Sequence, residues 1–253
     1  MDQGGGGQSR SRVHRRPDPA PTLQCQHANT FVIETRALRY DYPSGPSLSF
    51  HDVDVPQGAT LLLHGQSGAG KSTWLSLVAG LLTPTAGEVV VAGQPLSALS
   101  RTGRDAWRAR HLGFLPQKLH LSDALSVERN LALAFYAAGV PENKAALHHA
   151  LELLGVGDLA HRRPSQLSGG QAQRVALART ILMEPKVILA DEPTASLDDE
   201  AALTGLRLLE NCAFQCNATL VIATHDRRVQ EALPAAMVYR IGRHPAAAMG
   251  EAA

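Results

Sequence analysis

Three cysteines in a chain of 253 residues are too few, and odd in number, for a disulfide framework. Cys25 stands alone near the start. Cys212 and Cys216 lie four apart on a predicted helix, with no histidine or further cysteine nearby to complete a metal site. They read as small core residues of a chain kept in a reducing compartment. Long apolar runs are missing too. A spanning helix needs about 18 or more consecutive apolar residues, and the best stretch, Leu131 to Val140, is about half that length and contains Gly139. The chain is therefore not expected to cross a bilayer. The opening, Met1 to Arg16, carries arginines at 10, 12, 15 and 16 but no apolar segment behind them, which argues against a secretory signal. A net charge of +1 gives no electrostatic ground for a nucleic-acid or anionic-membrane partner. What remains is ordinary: 44% hydrophobic and 19% charged residues, in a chain long enough to remove roughly 70–75% of its unfolded surface from water.

Residues 1–30 are rich in Gly, Arg, Pro and Gln without apolar periodicity and read as a disordered lead. Order is expected from Phe31, where Phe31-Val-Ile and the alternation through Tyr40, Tyr42, Leu48, Phe50, Val53 and Val55 suggest short strands. Ala59 to His64 is a compact apolar run that stops at Gly65, as a buried strand does. The spacing predicts a helix from Lys71 to Leu82 closed by Pro84, then a strand from Glu88 to Ala92. From about Leu119 to Thr180 the apolar spacing is helical, clearest over Ser126 to Ala138 and Glu142 to Leu154. Val187 to Ala190 and Thr219 to Ala223 are again buried-strand runs, separated by a helix from Asp199 to about Asn211. Strand, helix and strand in that order argue a parallel sheet with crossover helices, with 119–180 as an inserted helical subdomain. The Ala-rich tail, 243–253, is expected to fray.

Gly65-Gln66-Ser67-Gly68-Ala69-Gly70-Lys71-Ser72 fits G-x-x-x-x-G-K-[ST], after one predicted strand and at the opening of a helix. The glycines let successive N–H groups turn inward onto an anion, and the helix start adds its positive dipole end. In such a loop Lys71 reaches the β- and γ-phosphates of a nucleotide, Ser72 takes a Mg²⁺ position, and Thr73 adds a phosphate hydrogen bond. Asp191 and Glu192 stand together at the C-terminal end of a buried strand, where open parallel sheets place their ligands. Asp191 is suited to hold Mg²⁺, and Glu192 to polarise or deprotonate a water.

Leu167-Ser168-Gly169-Gly170-Gln171 opens a further helical run, and its bare backbones make a second anion cradle. One phosphate has no geometric need for two cradles from one chain, so the second invites a partner. Leu167 to Gln171 resembles the signature motif of the ABC ATPases, and the resemblance extends over about 31–242. It implies an ATP-binding, ATP-hydrolysing subunit with an α/β fold. The parts implied are a P-loop ATPase core with a mostly parallel sheet, an N-terminal antiparallel β subdomain and the inserted helical subdomain. It implies that two copies, or one copy and a similar ATPase, pair head to tail, so that Ser168 to Gln171 cover the ATP held by the other. Gln117 resembles the glutamine that links Mg²⁺ to the helical subdomain, Ser196-Leu197-Asp198 the loop that contacts the opposite subunit, and His225 the switch histidine that contacts the γ-phosphate. Tyr42, with Tyr40 second, is placed to stack on adenine.

The implied cofactors are ATP and Mg²⁺, with Ser72, Gln117 and Asp191 around the metal. The implied partner is an integral membrane permease, with the chain peripheral on the cytoplasmic face of the inner or plasma membrane and no nucleic acid bound. Phrases such as Ala190-Asp-Glu-Pro-Thr194 and Thr83-Pro-Thr-Ala-Gly-Glu88 look most like the lipoprotein-releasing and macrolide-exporting type. Ala69 in the phosphate loop and Ala195-Ser196 depart from that type's common residues. The alternative, a family member acting on DNA or the ribosome, calls for long coiled coils, zinc modules or two cassettes. Fewer than about a hundred residues separate Lys71 from Ser168, with no heptad run or cysteine cluster between.

Overall fold

The computed structural model describes residues 31–242 apart from Ser196. The expectations for the lead, the tail, Cys25 and Ser196 lie outside the described residues. Two sheets organise the molecule. The first is antiparallel: β1 (Phe31–Asp41) pairs with β2 (Ser47–Ser49), β3 (Val53–Pro56) and β5 (Ala86–Val91), and β5 pairs on with β6 (Gln94–Pro95). The second is wholly parallel, built from β4 (Thr60–His64), β7 (Leu112–Leu115), β8 (Val187–Asp191), β9 (Thr219–Thr224) and β10 (Met237–Arg240) in the order β10-β4-β9-β8-β7.

The parallel sheet is apolar on both faces, which is why its central strands read as unbroken hydrophobic runs. Side chains alternate between two cores. Leu62, Ile188, Ala190, Leu220 and Ile222 face one, together with α3 (Val127–Ala138), α4 (Lys144–Leu153), α5 (Gly169–Ile181) and α6 (Asp199–Gln215). Leu61, Leu63, Leu189, Val221 and Ala223 face the other, which holds α1 (Lys71–Val78) and the inner face of the antiparallel sheet. Each fully buried Leu, Ile or Val contributes roughly 1.5–3 kcal/mol, and a one-residue slip of any central strand would swap its two sets. Cys212 lies inside the first core, where burial pushes its thiol up to about 11. It and Cys216 are free.

Several expected boundaries shift. α1 ends at Val78 rather than Leu82, because Gly80 adopts φ +65° and the amides of Leu81 and Leu82 turn back to the Ser76 carbonyl. A glycine in the left-handed region, not Pro84, stops this helix. α6 runs four residues past Asn211, so Cys212 lies within it and Cys216 caps it. Also additional to the sequence reading are α2 (Arg101–His111), β7 with its edge position, α7 (Arg227–Ala232) and β10. The segment 119–180 lies between β7 and β8, which are hydrogen-bonded neighbours. All of its helical material therefore leaves the sheet and returns beside its point of departure.

Candidate functional site

Every strand of the parallel sheet except β10 delivers a candidate residue at its C-terminal end, the edge at which open parallel sheets bind ligands. β4 ends at His64 and leads into Gly65. β7 leads through Pro116 to Gln117, β8 ends at Asp191 with Glu192 next, and β9 ends at Thr224 with His225 next. Together with the start of α1 they enclose a cleft of about 310 Å³, lined by Ser67, Gly68, Gly70, Lys71, Ser72, Thr73, Gln117, Asp191, Glu192, His225 and Tyr42.

The loop before α1 is shaped by contacts only glycine tolerates. A Cβ on Gly65 would lie 2.5 Å from the Ile241 carbonyl oxygen. Gly70, the N-cap of α1, adopts φ +105°, and a Cβ there would lie 2.8 Å from Leu48. No side chain caps α1, so its first-turn amides face the cleft edge unsatisfied by the helix and form an anion-binding end. Lys71 is 6% exposed. Its ammonium donates to the carbonyls of Gly65 (2.9 Å) and Gln66 (3.3 Å) and lies 3.4 Å from Glu192 Oε1. Gln66 and Ala69 thus enter the loop through the backbone, the latter by its amide to Gln66 O.

Asp191 carries the sign of a cation site. Its Oδ1 is buried with no hydrogen-bonding partner in the protein. Burial raises its pKa above the ordinary carboxylate value, and the hydrogen bond from Ser72 only partly opposes this. A desolvated carboxylate beside a serine hydroxyl, with the Gln117 amide in the same cleft, is the oxygen donor set that a hard divalent cation takes. The residues present fit Mg²⁺.

Glu192 is held more firmly than its sequence suggests. Its backbone sits at φ +48°, tied by its amide to Ala223 O and by its carbonyl to the amide of Ala195. Its carboxylate meets His225 Nδ1 at 2.8 Å through Oε1 and accepts from Thr224 Oγ1 at 3.1 Å through Oε2. The sequence reading placed Glu192 and His225 in one site but assigned nothing to Thr224. Asp226, Arg228 and Thr194 were likewise unassigned. Asp226 accepts from the Arg228 guanidinium and from Thr194 Oγ1, bonds that hold its carboxyl below the usual range. A run of Thr, His and Asp at a strand end was the one signal available for them.

Tyr42, just beyond β1, lines the cleft and Tyr40 does not. The Tyr42 hydroxyl shares a 2.6 Å hydrogen bond with Thr73 Oγ1, and its ring stands edge-on to Tyr40 with centroids 4.9 Å apart.

The second cradle lies elsewhere. Ser168 caps α5 in a reciprocal box: its hydroxyl accepts from the Gln171 amide, and Gln171 Oε1 accepts from the Ser168 amide. A Cβ on Gly169 or Gly170 would meet nothing within 4 Å. Ser168, Gly169, Gly170 and Gln171 do not line the cleft that holds Lys71. Asp198, the N-cap of α6, lies with Gly170 in a separate cavity of about 360 Å³ between α5 and α6.

Comparison with known proteins gives the family and the fold. The family described as ABC transporter matches residues 48–195. The lipoprotein-releasing system ATP-binding protein LolD of Anaeromyxobacter dehalogenans is 40% identical over 209 residues, covering 80% of this chain and 87% of that one. The macrolide export ATP-binding/permease protein MacB of Rhodopseudomonas palustris is 38% identical over 204 residues, covering 78% of this chain and 31% of that longer protein. Among solved structures, the dimeric post-hydrolysis state of the ATP-binding cassette MJ0796 bound to ADP and Pi superposes with a TM-score of 0.71 at 27% identity, covering 83% of this chain and 94% of that one.

Proposed function

The chain belongs to the ABC transporter family as an ATP-binding, ATP-hydrolysing subunit, and we propose that two copies close over ATP to drive a separate membrane permease. The observation that carries this reading is the division of the candidate residues. Lys71, Asp191, Glu192 and His225 converge on one cleft, while the open glycine cradle at the start of α5 is not part of its lining. Among the described residues no helix is long and apolar enough to cross a membrane; the place proposed for the chain, peripheral on the cytoplasmic face of the membrane beneath a permease, rests on its transporter-subunit relatives. The lipoprotein-releasing and macrolide-exporting relatives favour transport over action on DNA or the ribosome.

The phosphates of ATP enter at the start of α1, where open amides and Lys71 offset their charge, and the Tyr42 ring meets the adenine. Ser72, Asp191 and Gln117 would hold Mg²⁺, which when bound would offset the negative charge of the phosphate oxygens. Glu192 accepts the proton of the attacking water through Oε1, and His225 faces the same oxygen and orients the γ-phosphate. Ser168, Gly169 and Gly170 of the second copy close the γ-phosphate from the far side, with the Asp198 loop of each copy against the other. Loss of that shared anion on hydrolysis releases the two faces. The helical segment 119–180, reached from the cleft through Gln117, carries the motion to the permease.

A full-length Glu192→Gln chain tests the chemistry. Its rate of phosphate release from Mg-ATP should fall by at least about 100-fold while ATP still binds, because only the proton acceptor is gone. Turnover at the wild-type rate would remove Glu192 from its role.

A further inference from the structure

A residue at φ +48° keeps its conformation only when its surroundings over-determine it. For Glu192 those surroundings divide cleanly. Oε1 faces Lys71 and His225, the two groups that also address the phosphate. Oε2 has a different partner, the hydroxyl of Thr224. Thr224 closes β9 and is 1% exposed, so its β-branched side chain has little rotamer freedom. Its oxygen receives the backbone N–H of Asp226 at 3.0 Å. A hydroxyl has one proton to give, and with the amide arriving from one side that proton is directed to Glu192.

The loop carrying that amide is itself anchored. The Asp226 carboxylate caps α7 by accepting from the Arg228 amide, takes the Arg228 guanidinium at 2.7 Å, and accepts from Thr194 Oγ1 at 3.2 Å. Thr194 lies two residues beyond Glu192. The chain of contacts therefore runs from Glu192 through Thr224 and Asp226 and returns to the segment that carries Glu192. Such a closed circuit resists rotation of the carboxylate better than any single bond.

The geometry points to Thr224 as a positioning residue for ATP hydrolysis. Its hydroxyl, oriented by the Asp226 amide, holds Oε2 of Glu192 so that Oε1 is presented to the attacking water. This rests on the role proposed for Glu192 above. Thr224 is not among the residues that line the cleft, so its proposed effect runs only through the carboxylate.

The test compares full-length Thr224→Val, Thr224→Ala and Thr224→Ser chains with Glu192→Gln, measuring kcat and KM for Mg-ATP. Valine keeps the shape and removes the hydroxyl. A misdirected acceptor should lower kcat by about 10- to 100-fold, with KM changed by less than about threefold. Serine should restore kcat to within about threefold of wild type, since it returns the hydroxyl. If the valine chain fails to fold, the alanine chain carries the comparison. The inference is overturned if a folded chain lacking the hydroxyl turns over at the wild-type rate while Glu192→Gln is inactive, if the loss lies wholly in KM, or if serine is as slow as valine. Wild-type turnover by Glu192→Gln would instead overturn the role of Glu192 and the relay with it, a separable result.

Discussion

Asp191 is the residue whose surroundings make least sense for stability alone. A buried carboxylate oxygen without a partner costs free energy, and in a cleft shared with Ser72 and Gln117 a divalent cation is the partner that would offset it. Replacing it by Asn removes the charge that burial disfavours. The Asp191→Asn chain should melt about 2–4 °C higher than wild type when no nucleotide is added, and should lose most of the further rise that Mg-ATP gives the wild type. Thermal melts with and without Mg-ATP check both; a lower Tm in the free chain would contradict this account of the site. The identities of Lys71, Ser72, Asp191 and Glu192 were legible from spacing alone, because a phosphate loop and a strand-end acid pair are local arrangements. The contacts among them were not. That Lys71 lies 3.4 Å from Glu192, or that Thr224 bonds Oε2, depends on β4, β8 and β9 lying side by side. No local pattern in the sequence encodes that adjacency.

Elements were legible in proportion to the apolar surface they bury. α3 and α4 announce themselves by periodic core residues, while their N-caps, Ser126 and Asn143, come from the structure, which starts α4 two residues later than expected. α2 buries no residue and carries arginines at 101, 104, 108 and 110, so periodicity had nothing to report. β7 is four residues long and is a strand because it pairs with β8; its Gly113, where a Cβ would lie 2.5 Å from the Thr180 carbonyl oxygen, lets α5 pack against it. β10 is mostly exposed but anchored by Tyr239, whose hydroxyl donates to the His51 carbonyl across the molecule. Burial pushes this phenol up to about 12. Because the folded value lies above the unfolded one of about 10, the folded protein holds the proton more tightly. The stabilisation is complete below about pH 10 and is lost as pH rises through about 12. Stability measured by urea unfolding from pH 9 upward should fall by about 2–3 kcal/mol more in the wild type than in Tyr239→Phe. Parallel curves for the two chains would sink this assignment.

At the scale of the molecule, the antiparallel sheet and α1 on one side of the parallel sheet and the helices α3 to α6 on the other leave two helix starts with anion-binding character, at Gly70 and at Ser168. The first sits in the cleft with the acid pair and the second does not. On the proposed reading, a single chain binds ATP but grips its terminal phosphate from one side only. The relative order of the motifs was readable from the sequence; the separation of the two cradles needed the sheet order and the path of α5. The most direct measurement is sedimentation equilibrium of the full-length Glu192→Gln chain with Mg-ATP, over a concentration range and with its permease in detergent. Two cradles sharing each phosphate predict a stable dimer that Ser168→Glu abolishes, by placing negative charge where the γ-phosphate would dock. A chain that binds ATP yet stays monomeric at every concentration, with or without the permease, would contradict the account.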